Sequence, residues 1–135
     1  DLMEGGDLDT ITQQSESFRM IRLSFSLHVW FRHWKMFMIG HNHRDIKPEN
    51  LVFGSDGYLR LTDFGIAREW TPENSTENSG TPGYMAPEVM FKQNHGIAAD
   101  YFAVGIIAYE CIMGRRPYLG RSRKEIREAI VNKQA

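Results

Sequence analysis

At 135 residues the chain can bury a core but is short for a two-lobed enzyme. Its 17 acidic and 16 basic residues leave a net charge of −1, which gives no electrostatic ground for a nucleic-acid or anionic-membrane partner. The single cysteine, Cys111, excludes an internal disulfide and fits a reducing, cytoplasmic setting.

The opening segment, DLMEGGDLDT, breaks at Gly5-Gly6 and predicts a helix beginning near Asp7; it lacks the basic stretch of a secretory signal. From Phe18 to Asn42 the chain is basic and aromatic, with no acid between Ser17 and Arg44, and its apolar residues do not hold one helical face. LVFGSDGYLRLT, Leu51 to Thr62, reads as two short strands joined by a turn at Ser55-Asp56-Gly57. Arg68 to Ser79 is polar, with a proline and two asparagines, and reads as an exposed loop.

Residues 97–113 predict a long apolar helix, stopped by Gly114 and kept from resuming by Pro117. Its run YFAVGIIAYECIM falls short of the roughly 20 residues of a membrane span, so a buried helix without a membrane span is expected. A last amphipathic helix, SRKEIREAIVNK, places Ile126, Ile130 and Val131 on one face, with Ser122 and Glu125 forming a capping box at its start.

Three motifs carry chemistry: HRDIKPEN at His43 to Asn50, DFG at Asp63 to Gly65, and APE at Ala86 to Glu88. In this order the sequence resembles eukaryotic Ser/Thr protein kinases from about His43 to Tyr118, and GRRPY in the run GRRPYLGRSRKEI adds a likeness to the AGC group. The resemblance implies an α+β fold class: the mainly helical C-terminal lobe of the kinase fold, with short β-hairpins at the active site. It implies transfer of the ATP γ-phosphate to a protein Ser or Thr, with ATP and Mg²⁺ as cofactors.

Family roles carried onto these positions make Asp45 the group that accepts or orients the substrate hydroxyl proton, and Lys47 a cation beside the γ-phosphate. Asn50 and Asp63 supply hard oxygen ligands for Mg²⁺, and Thr81 in GTPGYMAPE bridges toward Asp45 and Lys47. Met3, Asp7, Val52, Thr62 and Lys47 are the expected nucleotide contacts, and Gly65 is expected to supply a positive-φ turn that packs Phe64 inward. His43 is expected to hold the loop by packing, and Asp100 to accept hydrogen bonds from its backbone; a helix cap is the simpler alternative for Asp100. Arg44 calls for an anion, with Glu77 or a phosphorylated Thr76 as candidates. Glu49 and Asp7 favour basic residues upstream of the target Ser or Thr; the oligomeric state is left open.

The sequence also departs from the family. A Gly-rich phosphate loop, a strand lysine and its partnering glutamate are not found ahead of Asp1, so the expectation is a partial kinase domain over 1–135, hinge and C-terminal lobe, with the N-terminal lobe missing. The Arg that pairs with Glu88 in the family is likewise not found, leaving Glu88 as a buried charge without its partner. Residues 18–42 stand where an amphipathic helix belongs: a membrane-surface helix, a divergent helix and a translation-frame slip all compete. A one-base shift forces Val from Trp30 and then, after two partly free positions, Leu, Glu, Asn or Asp, Val, His or Tyr, and Asp, and so permits A-C-L-V-x-A-L-E-N-V-H-D, which restores the amphipathic pattern; 18–42 is therefore read as aberrant. The alternative to an active enzyme is an inactive kinase fragment or a pseudokinase-like binding module.

Overall fold

His41 and Asn42, just ahead of the first motif, form β1 (His41–Asn42) in the computed structural model, which describes residues 41–56 and 58–134. β1 pairs antiparallel with β4 (Arg68–Glu69), in the register His41↔Glu69 and Asn42↔Arg68. The expected helix near Asp7, Met3 and Asp7 themselves, residues 18–40 of the segment read from the sequence as aberrant, and Gly57 of the turn lie outside the described residues.

The predicted hairpin is β2 (Leu51–Phe53) against β3 (Leu59–Leu61), in the register Leu51↔Leu61, Val52↔Arg60, Phe53↔Leu59. Period-two alternation decides which side is buried: Leu51 and Phe53 are enclosed and Val52 between them is half-buried. The Asp56 carboxylate accepts the Tyr58 N–H at 3.2 Å and an Arg60 N–H at 2.6 Å, tightening the turn. Thr62 then donates its N–H to the Asn50 carbonyl at 2.9 Å, so the end of HRDIKPEN and the start of DFG lie side by side.

Three helices follow. α1 (Pro87–Met90) starts on a proline, whose missing N–H costs nothing at a helix start. α2 (Ala98–Met113) ends at Gly114, which adopts φ 67° and donates its N–H to the Glu110 carbonyl, a left-handed cap that glycine enters without a Cβ clash. α3 (Arg123–Gln134) is capped by Ser122, whose hydroxyl accepts the Glu125 N–H at 3.2 Å. The capping box is one residue off its expected form, because Glu125 reaches back to the N–H of Arg121 at 2.8 Å rather than to that of Ser122.

The main core packs Ala103, Val104, Ile106, Ile107 and Cys111 of α2 against Ile46, the two β2 residues and Leu59. A second cluster joins Met85, Ala86, Val89 and Met90 to Ile126 and Ile130 of α3. Val131 does not share that face: it is 50% exposed, because a step of one residue past Ile130 turns it about 100° away. α2 is not buried all round either. Ile112 and Met113, in its last turn, are 61% and 53% exposed.

The segment from Arg68 to Ser79 is exposed or half-buried except at Ser75, in keeping with the expected exposed loop, but it is not free. It is tied down at β4, at a short 3₁₀ turn (Pro72–Asn74), and at His95, whose N–H bonds the Ser75 carbonyl at 2.9 Å. Trp70 donates its indole N–H to the His95 carbonyl at 2.7 Å, and the His95 Nε2 lies 2.8 Å from the Glu77 carbonyl. These side chains satisfy backbone groups that a polar stretch would otherwise leave to water.

Candidate active site

Asp100 fixes the loop that follows β1. The carboxylate projects from the first turn of α2, is 3% exposed, and accepts the backbone N–H of His43 at 2.7 Å and of Arg44 at 2.9 Å. Burial pushes its proton affinity above the usual carboxylate range, and the two N–H donors only partly offset this. It is not the cap of its helix; that position is Ile97. Arg44 sits at φ 73°, a left-handed conformation that costs about 1–2 kcal/mol for a non-glycine residue and is held here by the Asp100 bonds.

His43 is the packing residue the resemblance implies. It is fully enclosed, its Nε2 lies 3.1 Å from the Thr62 carbonyl, and its ring meets Phe64 edge-on at 5.1 Å.

Around Asp45 the polar groups converge. One carboxylate oxygen accepts the Thr81 hydroxyl at 2.6 Å and the Thr81 N–H at 3.0 Å; the other meets the Lys47 ammonium at 2.8 Å. Asn50 donates its amide N–H to the Asp45 carbonyl oxygen at 2.9 Å, and Lys47 also reaches the Thr81 hydroxyl at 3.4 Å. Burial raises the proton affinity of Asp45, but the hydrogen bonds from Lys47 and Thr81, with the charge of Lys47, outweigh it and hold the carboxyl below its ordinary range. Lys47 is pushed up, first by its hydrogen bond to Asp45 and against the opposing effect of burial, then by the charges of Asp45, Glu49 and Asp63. Both groups are ionised at neutral pH.

Asp63 follows Thr62 at the end of the hairpin, exposed and close enough for its charge to act on Lys47. It is Asp63, not Gly65, that takes the positive φ, 60°; its Oδ1 accepts the Gly65 N–H at 3.2 Å, an Asx-type turn that stabilises the left-handed backbone. Phe64 consequently stays 46% exposed rather than packing inward. Val52 is half-buried on β2, and the Thr62 hydroxyl donates to the Asn50 carbonyl at 3.2 Å, leaving its methyl group and lone pairs for other contacts.

On the far side, Arg44 donates to the Glu77 carboxylate at 2.7 Å and to the Ser79 hydroxyl. Glu77 also takes Arg68 at 3.2 Å, and the hydrogen bond from Arg44 holds its carboxyl below the usual range. Ser79 was not legible in the sequence, since a lone serine in a polar stretch carries no signal. Nor was the cluster in which the Tyr84 hydroxyl donates to Glu110 at 2.7 Å while the Arg116 guanidinium lies 5.4 Å from the Tyr84 ring centroid. Burial, then the bond to Glu110, raises the Tyr84 phenol far above its ordinary value. Glu88 is half-buried rather than enclosed and makes no ion pair among the described residues.

The protein kinase domain family matches residues 1–135. The chain belongs to that family. It is 48% identical over 91 residues to Serine/threonine-protein kinase AtPK1/AtPK6 of Arabidopsis thaliana, covering 66% of this chain and 19% of that protein. It is 33% identical over 140 aligned positions to ribosomal protein S6 kinase alpha-1 of Homo sapiens, covering 97% of this chain and 18% of the human protein. The same identity and coverage hold for ribosomal protein S6 kinase 2 alpha of Xenopus laevis. The chain thus spans less than a fifth of the length of these relatives, and the likeness to S6 kinases agrees with the AGC-like character of GRRPY.

Protein kinases as a family use ATP and Mg²⁺, and the side chains present fit the metal. With its amide nitrogen committed to Asp45, Asn50 has its amide oxygen left over, and Asp63 has a second carboxylate oxygen without a hydrogen bond among the described residues. No three His, Cys, Asp or Glu side chains of the described residues form a metal cage. That suits Mg²⁺, which is held by one or two protein oxygens together with substrate phosphates and water. Among the described residues no helix is long and apolar enough to cross a membrane.

Proposed function

We propose that this chain supplies the catalytic loop of a Ser/Thr protein kinase, within the mainly helical C-terminal lobe, and that it transfers the γ-phosphate of ATP to Ser or Thr hydroxyls of protein substrates. The observation that carries the reading is the Asp45 carboxylate, fixed at once by Lys47, Thr81 and the Asn50-braced loop. An exposed loop aspartate of no special function would be solvated, not bound by a cation and two donors.

The hydroxyl oxygen of the substrate attacks the γ-phosphorus while the bond from that phosphorus to the β,γ-bridging oxygen breaks. ADP leaves with the electron pair, and the hydroxyl proton passes toward Asp45. A carboxylate held below its ordinary proton affinity is a weak base, so Asp45 orients the hydroxyl and takes its proton late. Lys47, bridging Asp45 and Thr81, places a positive charge where negative charge develops on the phosphoryl oxygens. Asn50 and Asp63 would hold Mg²⁺, which supplies charge neutralisation on the phosphates. Val52 and Thr62 would line the adenine pocket, with Met3 and Asp7 as the sequence-derived contacts at its edge, and Glu49, which is exposed, together with Asp7 on the sequence reading, would favour basic residues upstream of the target hydroxyl.

The test uses the polypeptide in which this chain lies, with γ-radiolabelled ATP, Mg²⁺ and a Ser peptide carrying upstream arginines. Mg²⁺-dependent transfer to Ser that is lost in Asp45→Asn is the expected result. Transfer that survives Asp45→Asn, or protein that neither binds Mg-ATP nor transfers, overturns the reading.

A further inference from the structure

A tight turn leads from Thr81 to Tyr84. The Thr81 carbonyl accepts the Tyr84 N–H at 3.0 Å, and Pro82 and Gly83 are the two central residues. Thr81 is itself bonded to Asp45, and two Cα steps put Gly83 within about 7–8 Å of Thr81. An extended peptide advances about 3.3–3.6 Å per residue, so a substrate with its hydroxyl at Asp45 brings side chains from about two to four residues away onto this turn.

At that turn the chain seats a cation of its own. Gly114, the left-handed cap of α2, reverses the backbone, and Arg116 comes back beside Glu110 of the helix it has just left. The Arg116 Nε lies 3.7 Å from one Glu110 oxygen, while the other oxygen accepts the Tyr84 hydroxyl at 2.7 Å. The guanidinium is 5.4 Å from the Tyr84 ring centroid and rests on the buried Gly83, where an added Cβ would stand 2.9 Å from its Cζ. The absent side chain of Gly83 is what leaves room for it.

This pair differs from the ion pair that braces the catalytic loop. Arg44 is 9% exposed and meets Glu77 at 2.7 Å, whereas Arg116 and Glu110 are 32% and 28% exposed and make one contact, long against the about 2.7–2.9 Å of a charge-assisted hydrogen bond. A partly solvated pair of that kind contributes little and exchanges partners readily. Local charge sets which partner would replace Arg116. Glu49, exposed and without an ion pair among the described residues, acts on the Tyr84 hydroxyl together with Glu110, and Arg116 opposes both. Without its guanidinium two carboxylates would face the substrate; with it one of them is neutralised, and the remaining balance still repels an acidic side chain.

We propose that Arg116 is a specificity-determining residue: its guanidinium occupies the cation seat on Glu110, so that a basic substrate side chain gains nothing at the position facing the Tyr84 turn. The inference rests on the phosphotransfer reading of Asp45, which sets where the substrate runs.

The test is fluorescence anisotropy without ATP, on the polypeptide in which this chain lies. The probes are labelled Gly/Ala peptides with one central Ser and a single Arg stepped from four residues before it to four after. Arg116→Ala should raise affinity by about tenfold for Arg at one position and not at the others, and the double variant Arg116→Ala, Glu110→Gln should lose that gain. Arg116→Lys, which keeps the charge, should gain no more than about twofold, as should Arg115→Ala, which removes an exposed charge outside the cluster. Arg116→Gln keeps most of the stem over Tyr84 and gives the same answer should the alanine variant fail to fold. A purely structural role for Arg116 would change affinity equally for every Arg position. That result overturns the proposal, as does a gain that survives Glu110→Gln, an equal gain in Arg115→Ala, or the absence of peptide binding in parent and variants. A Glu-stepped series in which the parent prefers Glu at one position and Arg116→Ala does not would make Arg116 a ligand for substrate acids and overturn it too. Binding decides this inference, and transfer from ATP to the same peptides decides the reading of Asp45 separately.

Discussion

The Arg44 guanidinium, with its side chain only 9% exposed, meets the Glu77 carboxylate at 2.7 Å. Thr76, the other candidate source of an anion, is exposed and makes no hydrogen bond or ion pair to Arg44. Glu77 therefore supplies without modification the negative charge that Arg44 requires, and it does so from a segment anchored at His95.

Glu77→Ala leaves that guanidinium with the Ser79 hydroxyl as its hydrogen-bond partner, so the loop between His43 and Asp45 loses its outer brace. On the function proposed above, phosphotransfer should fall several-fold in Glu77→Ala. Thr76→Ala should leave it unchanged, measured as initial rates at saturating Mg-ATP.

Asp100→Asn should be more damaging than its near-identical shape suggests. The replacement has one oxygen for two backbone donors and turns an NH₂ toward the other. One buried N–H left unsatisfied costs about 1–3 kcal/mol, which urea denaturation would read as a lower midpoint at unchanged slope.

The two carboxyls should drive stability in opposite directions with pH. Asp45 binds its proton less readily in the native state than when unfolded, so its stabilisation is complete above the ordinary carboxylate range near 4 and is lost as pH falls through its lowered value. Asp100 binds its proton more readily when folded, so its contribution is greatest below that range and declines as pH rises through its raised value. Denaturation midpoints of Asp45→Asn and Asp100→Asn, each compared with the parent chain from pH 3 to 7, should diverge with opposite slopes.

How far the sequence could be read shows in α2 and α3. The long helix, its Gly114 stop and the β2–β3 hairpin follow from local chemistry: apolar period, a left-handed cap, alternating strands about a turn. The Asp45, Lys47, Asn50 and Thr81 cluster was legible because its motifs keep their order and spacing. What a helix packs against is not local. Ile130 and Val131 are adjacent and equally apolar, and only the position of α1 decides that Ile130 is 1% exposed and Val131 half-exposed. The same holds for Ser79 and Glu110, whose partners lie 35 and 26 residues away in the chain.

That contrast is measurable. Ile107, 0% exposed in the main core, should lose about 2–5 kcal/mol of stability on truncation to alanine, since both transfer and cavity terms apply. Val131→Ala should stay within about 0.5 kcal/mol, as surface substitutions do. Equal effects in thermal or urea denaturation would mean that α3 packs differently from the arrangement described above.

Thr81 separates the chemistry of the site from its shape. Its hydroxyl donates to Asp45 at 2.6 Å and accepts from Lys47 at 3.4 Å, while its backbone N–H holds the same Asp45 oxygen at 3.0 Å. Thr81→Val keeps the volume and the backbone bond but removes the hydroxyl, so Asp45 keeps its place while losing one donor and Lys47 loses one acceptor. With one hydrogen bond to an ionised group lost, about 1.5–3 kcal/mol is at stake, which corresponds to a fall of roughly ten- to a hundredfold in kcat/KM if the bond persists in the transition state. Thr81→Ser restores the hydroxyl without the methyl group and should recover most of that activity. Because Thr81 is one of the donors that hold the Asp45 carboxyl low, the acidic limb of the pH–rate profile should also move upward in Thr81→Val, and not in Thr81→Ser. A purely structural role for Thr81 would lower the rate in both variants and leave that limb in place.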